Sequence, residues 1–407
     1  TCARGETVKM LERVMKLTGI KMLDLSRFLP GPHLAMMMAD HGAEVIKIED
    51  TKSGDPARHI GPQSGGQTVY YRNANRGKKS LSVDLKSEEG RELFLRLAEG
   101  ADVVLETFRP GVVDRLGIGY DDVAARAPQV VYCSISAFGQ DGPYRDRPAH
   151  DLSVCALAGV ASLSVDKEGQ PNMPCMPPSD MGGSLMAFGG ILMALIGRAK
   201  TGKGDYIDMS MYDSLVSWTP HIAGKALAEG RAPEPWQERT QGGAAFYRPY
   251  AVKGGGHITL GGSEMKFVRN FLGAMAREDL IEVAERPPGE PQAALRDYLS
   301  ETFLTKTRDE WSAWFEGRDI CFAPVLDLKE AFDNEHLHAR DMLLRDSQGN
   351  AHLGIPIKFR EEPGVVRMQA PALGEHSEEI ALGLGLGADE VARLAQKGVL
   401  KIATPAV

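Results

Sequence analysis

The chain has 407 residues, 43% hydrophobic and 25% charged, with a formal net charge of −8. That length suits two compact units, or one large domain carrying a smaller one, and the composition supports a substantial core and excludes general disorder. The acidic balance argues against a nucleic-acid binder that neutralises phosphates, so any cationic grip on an anionic ligand must be local.

Residues 1–18 mix Arg, Glu and Lys with short apolar spells and lack a signal peptide's apolar middle, reading as tag residue or a frayed extension. Between residues 20 and 140, short β-branched runs alternate with helical patterns. Ile20–Leu25 reads as a strand, Pro32–His41 as a helix and Glu44–Ile48 as a strand. Ser80–Asp84 follows as a strand, Glu88–Glu99 as a helix N-capped by Ser87, Asp102–Glu106 as a strand, Pro110–Arg126 as largely helical and Val130–Ser136 as a strand. Strands separated by amphipathic helices predict βαβ units and a covered parallel sheet. The first crossover carries Leu29-Pro30-Gly31-Pro32 and no Gly-x-Gly-x-x-Gly, which argues against NAD.

The texture then changes. Leu185–Arg198 predicts a helix apolar on most sides, hence one buried between layers, and its apolar core, Leu185 to Gly197, is too short to span a bilayer. Tyr206–Met211 reads as a strand and Ala251–Leu260 as a hairpin through Gly254-Gly255-Gly256. Thr307 and Glu310 form a capping box ahead of a helix faced by Trp311, Trp314 and Phe315, and residues 284–292 read as a solvated loop. Five scattered cysteines (Cys2, Cys133, Cys155, Cys175, Cys321) without a Cys-x-x-Cys pair predict neither a disulfide scaffold nor a structural metal, and point to a reducing cytoplasm. The expected layout is α/β: a Rossmann-like large domain with a parallel sheet, from residues 19–225 and 326–407, and a smaller α+β domain over 226–325.

Three positions carry candidate chemistry. His150, in Ala149-His150-Asp151-Leu152, has the side chain best suited to proton transfer near neutrality, although Asp151 there also reads as an ordinary helix cap. Asp180, in Pro178-Ser179-Asp180-Met181-Gly182-Gly183, stands at a helix start where side-chain-free Gly182 and Gly183 would let a ligand oxygen approach the backbone; it too reads as a simple N-cap. Glu264, in Gly261-Gly262-Ser263-Glu264, reads either as a pocket residue at a domain interface or as the first-turn acid of an exposed helix. Arg76-Gly77-Lys78-Lys79 and Phe108-Arg109-Pro110-Gly111 suit an anionic ligand, the alternative being solvated surface charge. Methionines 173, 176, 181, 186 and 193 either pack a core or line a tolerant apolar channel.

Taken in order, these segments resemble the family III CoA-transferase superfamily from about Gly19 to Leu400. The likeness rests on Gly31-Pro32, Gly42-Ala43-Glu44-Val45-Ile46-Lys47-Ile48-Glu49, Asn75-Arg76-Gly77-Lys78-Lys79-Ser80, Phe108-Arg109-Pro110-Gly111-Val112, Arg115-Leu116-Gly117-Ile118-Gly119-Tyr120, Gly139-Gln140-Asp141-Gly142-Pro143 and Thr201-Gly202-Lys203-Gly204. The resemblance implies an interlocked homodimer, no permanently bound cofactor, and a coenzyme A thioester as substrate held between large and small domains. In its transferases an Asp at the position of Asp180 attacks the thioester and forms an anhydride. In its α-methylacyl-CoA racemases the same Asp exchanges a proton opposite a His supported by a Glu.

His150, Asp180 and Glu264 stand at racemase-like intervals of thirty and eighty-four residues, and Phe246-Tyr247-Arg248-Pro249-Tyr250 and Cys321-Phe322-Ala323-Pro324 are racemase-like too. Leu29 stands where formyl-CoA transferases have a Gln. Ala149, Ser153-Val154, Met265 and Asp50 depart from the relatives' patterns. The expected activity is therefore racemisation at the α-carbon of a 2-methylacyl-CoA. His150 and Asp180 would act from opposite faces, Glu264 would polarise His150, and backbone N–H groups from Asp180 to Gly182 would receive the growing charge on the thioester oxygen. Arg76, Lys78, Lys79 and Arg109, with Gly182 and Gly183, are the expected CoA contacts, and no metal, nucleic acid or membrane is expected. CoA transfer through Asp180 is the alternative, and acyl-CoA binding without turnover is a third reading.

Overall fold

A computed structural model describes residues 14–166 and 168–403. Cys2 and residues 1–13 of the expected N-terminal extension lie outside the described residues, as do 404–407. The chain forms two compact units, one from residues up to 154 with 177–215 and 335 onward, the other from 155–176 and 216–334. The boundaries expected at 225/226 and 325/326 fall at 215/216 and 334/335, and the segment 155–176 joins the second unit.

The first unit is built on β1 (Lys21–Asp24), β2 (Glu44–Glu49), β3 (Lys79–Val83), β4 (Val103–Glu106), β5 (Val131–Ser136), β6 (Asp205–Ser210) and β7 (Leu400–Lys401). They lie in the order β7-β3-β2-β1-β4-β5-β6, all parallel except β7 at the edge. Leaving β7 aside, this is the doubly wound Rossmann order. The central strands are buried on both faces, as the Val, Ile and Leu of β2 and β4 require, while β1 buries Met22, Leu23 and Asp24. The covering helices include α1 (Pro30–Asp40), α3 (Glu88–Ala98) and α5 (Pro178–Thr201), with α2 (Val69–Asn75) packed on α1, and α4 (Asp151–Leu157) divided between the units at 154/155.

Local chemistry explains their ends. The Ser87 hydroxyl caps α3 by accepting the Gly90 N–H at 3.0 Å, with Glu88 and Glu89 in the first turn. Gly31 in α1 is obligatory, since a Cβ there would meet Ser26 Cβ at 2.2 Å. The stretch read as largely helical after Pro110 breaks into Val112–Leu116 and Tyr120–Ala124, because Gly117 turns left-handed at φ 70°.

Helix α5 departs from expectation. It runs 24 residues, from Pro178 at its first turn to a left-handed Gly202, about 36 Å at 1.5 Å per residue. By length and composition alone it is long enough to cross a membrane, so the shorter span read from the glycine-broken stretch is corrected. It packs on α1, β5 and β6, yet Met193 and Ile196 remain 69% and 61% exposed, so it is not the fully buried helix its composition predicts. Its apolar residues run around the helix, and the sheet covers only one side.

The second unit holds an antiparallel sheet of Tyr247–Ala251, His257–Gly261 and Phe322–Pro324. It packs against the helices Met265–Ala274, Ala293–Phe303 and Arg308–Phe315 around Phe271, Phe303, Trp311 and Phe315. Thr307 and Glu310 close the capping box, and the Trp311 indole N–H is satisfied by the Phe303 carbonyl at 2.9 Å. The loop read over 284–292 ends on a buried Gln292 side chain, which bonds the Ala245 N–H at 2.9 Å.

Candidate active site

In the first unit the chain leaves β1 towards β2 and β3 on one side, then returns to β4, β5 and β6 on the other. Open parallel sheets bind ligands outside the carboxyl ends of their strands at such a reversal. A cavity of about 340 Å³ opens there. Its walls come from the ends of β1 (Arg27, Phe28), β4 (Thr107, Phe108, Arg109) and β5 (Ser136, Ala137), and His150 and Asp180 complete it. The two acid/base candidates thus share one cavity.

His150 is exposed at the cap of α4, its carbonyl accepting the N–H groups of Ser153 (2.9 Å) and Val154 (3.2 Å). Its ring meets Phe28 edge-on, 6.1 Å between centroids at 87°. Phe28 holds a left-handed φ of 63°, rare for a bulky side chain. Its N–H is fixed by Asp55 at 3.2 Å, and Asp55 is fixed in turn by buried Lys47 at 2.9 Å. This left-handed residue lies directly against the candidate imidazole.

Asp180 is half-buried in the first turn of α5. Burial, reinforced by the neighbouring Asp151 carboxylate and opposed by His150, pushes its carboxyl up to about 6. Asp151, in the first turn of its own helix, also reaches α5. Its Oδ1 accepts the Ser179 N–H (2.7 Å), the Ser179 hydroxyl (2.6 Å) and the Asp180 N–H (3.2 Å). The Met181 N–H already bonds Pro177 O at 3.1 Å, and Gly182 and Gly183 lie within the helix body. The backbone from Asp180 to Gly182 is therefore occupied, which corrects its expected role as an oxyanion site. Gly183 serves packing, since a Cβ there would come 2.7 Å from Met211 Cγ.

The expected cations divide sharply. Arg109 is exposed and lines the cavity. Arg76 is buried against Asp40, donating from Nε (3.1 Å) and from a terminal nitrogen (2.7 Å), and its other nitrogen bonds Leu353 O. Lys78 is buried too, held by Asp24 and Asn75, each at 2.8 Å, and burial lowers its ammonium to about 8 against the pull of Asp24. Arg76 and Lys78 are structural ion-pair partners and do not present charge to a ligand, contrary to expectation. Lys79 is half-exposed between Glu44 (3.1 Å) and Glu379 (2.9 Å). Gly182 and Gly183, buried inside α5, likewise offer no ligand contact.

Sequence reasoning missed Arg27, Arg145 and Arg147, which line the cavity with Arg109. Arg27 stacks over Phe108 with its guanidinium carbon 4.9 Å from the ring centroid. Arg145 is steadied by the Gln140 carbonyl at 2.8 Å. Four guanidinium groups around one cavity of an acidic protein suit an anionic ligand. The detectable signal was positional, because Arg27 lies in the loop just past the carboxyl end of the first strand, which ends at Asp24. The loop carrying Phe108 and Arg109 is fixed by Glu106, whose Oε2 accepts the Phe108 N–H at 2.6 Å; burial pushes this carboxyl up to about 7. Glu264 lies in the second unit, exposed at the cap of Met265–Ala274, its carbonyl accepting the Phe267 N–H at 3.0 Å.

Comparison with known proteins matches residues 17–377 to the model of CoA-transferase family III. An acyl-CoA transferase of Fusarium pseudograminearum is 33% identical, over 94% of this chain and 88% of its own. The α-methylacyl-CoA racemase of Homo sapiens is 30% identical, over 93% of this chain and 96% of its own. A CAIB/BAIF family protein from Brucella suis superposes with a TM-score of 0.79 at 30% identity, covering 91% of this chain and all of that one. Members of both enzyme classes are similar at nearly the same level, over nearly the whole chain. The chain belongs to CoA-transferase family III.

Proposed function

We propose that the protein racemises or epimerises the α-carbon of a 2-methylacyl-CoA thioester through an enolate, with His150 and Asp180 as the two acid/base groups. The observation that carries this reading is the single cavity both side chains line, ringed by Arg27, Arg109, Arg145 and Arg147. Inversion needs a proton removed from one face and returned to the other, so one group starts deprotonated and its partner protonated. An Asp180 carboxyl raised to about 6 suits that duty, because both its protonated and its ionised forms are within reach near neutrality. The arginines supply positive potential where thioester charge develops and where CoA phosphates enter. Glu264 is the proposed support for His150.

The test is solvent deuterium uptake at C2 of a 2-methylacyl-CoA. His150→Ala and Asp180→Ala are each expected to abolish it while leaving binding of the thioester. Unchanged uptake in His150→Ala would remove the imidazole from the mechanism.

A second reading is CoA transfer, in which the Asp180 carboxylate displaces the CoA thiolate to form a mixed anhydride. An acceptor carboxylate replaces the first acyl group, which leaves as its free acid, and the thiolate then takes the new acyl group and frees Asp180. It is favoured by the 33%-identical relative named as an acyl-CoA transferase. Hydroxylamine-sensitive labelling of Asp180 by substrate would support it. For either chemistry we propose a homodimer, supported by the exposed apolar face of α5 at Met193 and Ile196.

A further inference from the structure

The segment carrying His150 and the helix carrying Asp180 are joined by one carboxylate. Asp151 follows His150 directly, and its Oδ1 takes three donors from the start of α5: Ser179 N–H, Ser179 O–H and Asp180 N–H. Ser179 is fully buried, so two of these bonds are shielded from competing water. A helix start ordinarily acts as a positive pole that favours an anion in its first turn. Here that pole is already satisfied by a second anion, one residue from the imidazole.

We propose that Asp151 is a positioning residue that sets both the place and the protonation of Asp180. Its carboxylate clamps the start of α5 to the His150 segment and screens the helix end from the Asp180 side chain. The proposal rests on the reading of Asp180 as a reactive carboxyl and holds for a proton donor or a nucleophile alike. The Asp180 carboxyl stands at about 6, with burial and then Asp151 raising it and His150 lowering it. Other charged groups also face this region. Tyr70 on α2 is coupled to Asp180, Arg27, Arg109, Arg145 and Arg147 line the same cavity, and His33 on α1 contacts the Ser184 hydroxyl of α5 at 2.9 Å. Among them, Asp151 alone bonds the backbone of Ser179 and Asp180.

The experiment titrates the Asp180 carboxyl by 13C NMR, assigned by its loss in Asp180→Asn, in wild type, Asp151→Asn and Asp151→Ser. Asn and Ser both keep a capping oxygen without the charge. The expected result is a fall in the Asp180 pKa of at least about half a unit in either variant. The acidic limb of the C2-exchange pH profile should move down with it. Ser179→Ala, which removes one donor and no charge, is expected to leave the titration where it stands in wild type. An unchanged Asp180 titration in a folded Asp151 variant overturns the proposal. The wild-type chain gives an independent reading that needs no substitution. The Ser179 and Asp180 amide resonances must both follow protonation of the Asp151 carboxyl, and amides that ignore it overturn the clamp. Neither readout requires turnover. A wild-type protein without C2 exchange would sink the racemase reading and leave this inference separately decided.

Discussion

A carboxyl raised by burial and by a like charge destabilises the folded chain whenever it is ionised. For Asp180, pushed from an ordinary 3.8 to about 6, the cost is absent below the lower value, grows between the two and is fully present above pH 6. Asp180→Asn should therefore stabilise the protein at pH 8, on the order of 1 kcal/mol after allowing for solvent screening at a half-exposed site, and should do little at pH 4. Thermal midpoints of both proteins at the two pH values check this; an equal effect at both would show that burial of the charge is not the cause. Arg76 gives the opposite lesson. It resembles a ligand contact in sequence, but its true partner is Asp40, 36 residues away, and both are buried. Arg76→Ala should cost about 3–5 kcal/mol by stranding the Asp40 charge, with thioester affinity unchanged in whatever protein folds. A run of Arg and Lys is visible in sequence, but whether it faces a ligand or an internal carboxylate depends on pairing that sequence spacing does not encode.

At the scale of single elements, caps and periods were the legible part. Ser87, the Thr307/Glu310 box and the β-branched residues of β2, β4 and β5 act locally, so their residues are sufficient to read. Ser87→Ala should lower stability by about 1 kcal/mol, seen as a lower thermal midpoint with unaltered exchange chemistry; a loss of activity at unchanged stability would contradict a purely structural cap. Helix α5 was legible as a helix but not in its burial. Composition gives the apolar surface of a helix, while its covering depends on neighbours that arrive from α1 and the sheet. The same non-locality concealed the bonds of Asp151 to a helix that begins 27 residues downstream.

At the scale of the molecule, alternating strands and helices foretold a parallel sheet, but the order β7-β3-β2-β1-β4-β5-β6 is fixed by long-range pairing. That order places the reversal beside β1 and β4, and so the cavity and the arginines that sequence reading passed over. The exposed side of α5 belongs at this scale too. If a second copy covers it, the protein should elute with the mass of a dimer, and Met193→Glu combined with Ile196→Glu should shift it to monomer or abolish folding; a monomeric wild type would refute the covering.

The central claim, proton exchange between His150 and Asp180 at one carbon, meets its most direct test in a single incubation. A 2-methylacyl-CoA of one configuration is placed with the protein in deuterium oxide, with and without free carboxylic acids. The account expects deuterium at C2 and decay of optical purity at the same rate in both mixtures, with no CoA appearing on the added acids. Intact C2–H and configuration, together with new thioesters of those acids, would contradict it.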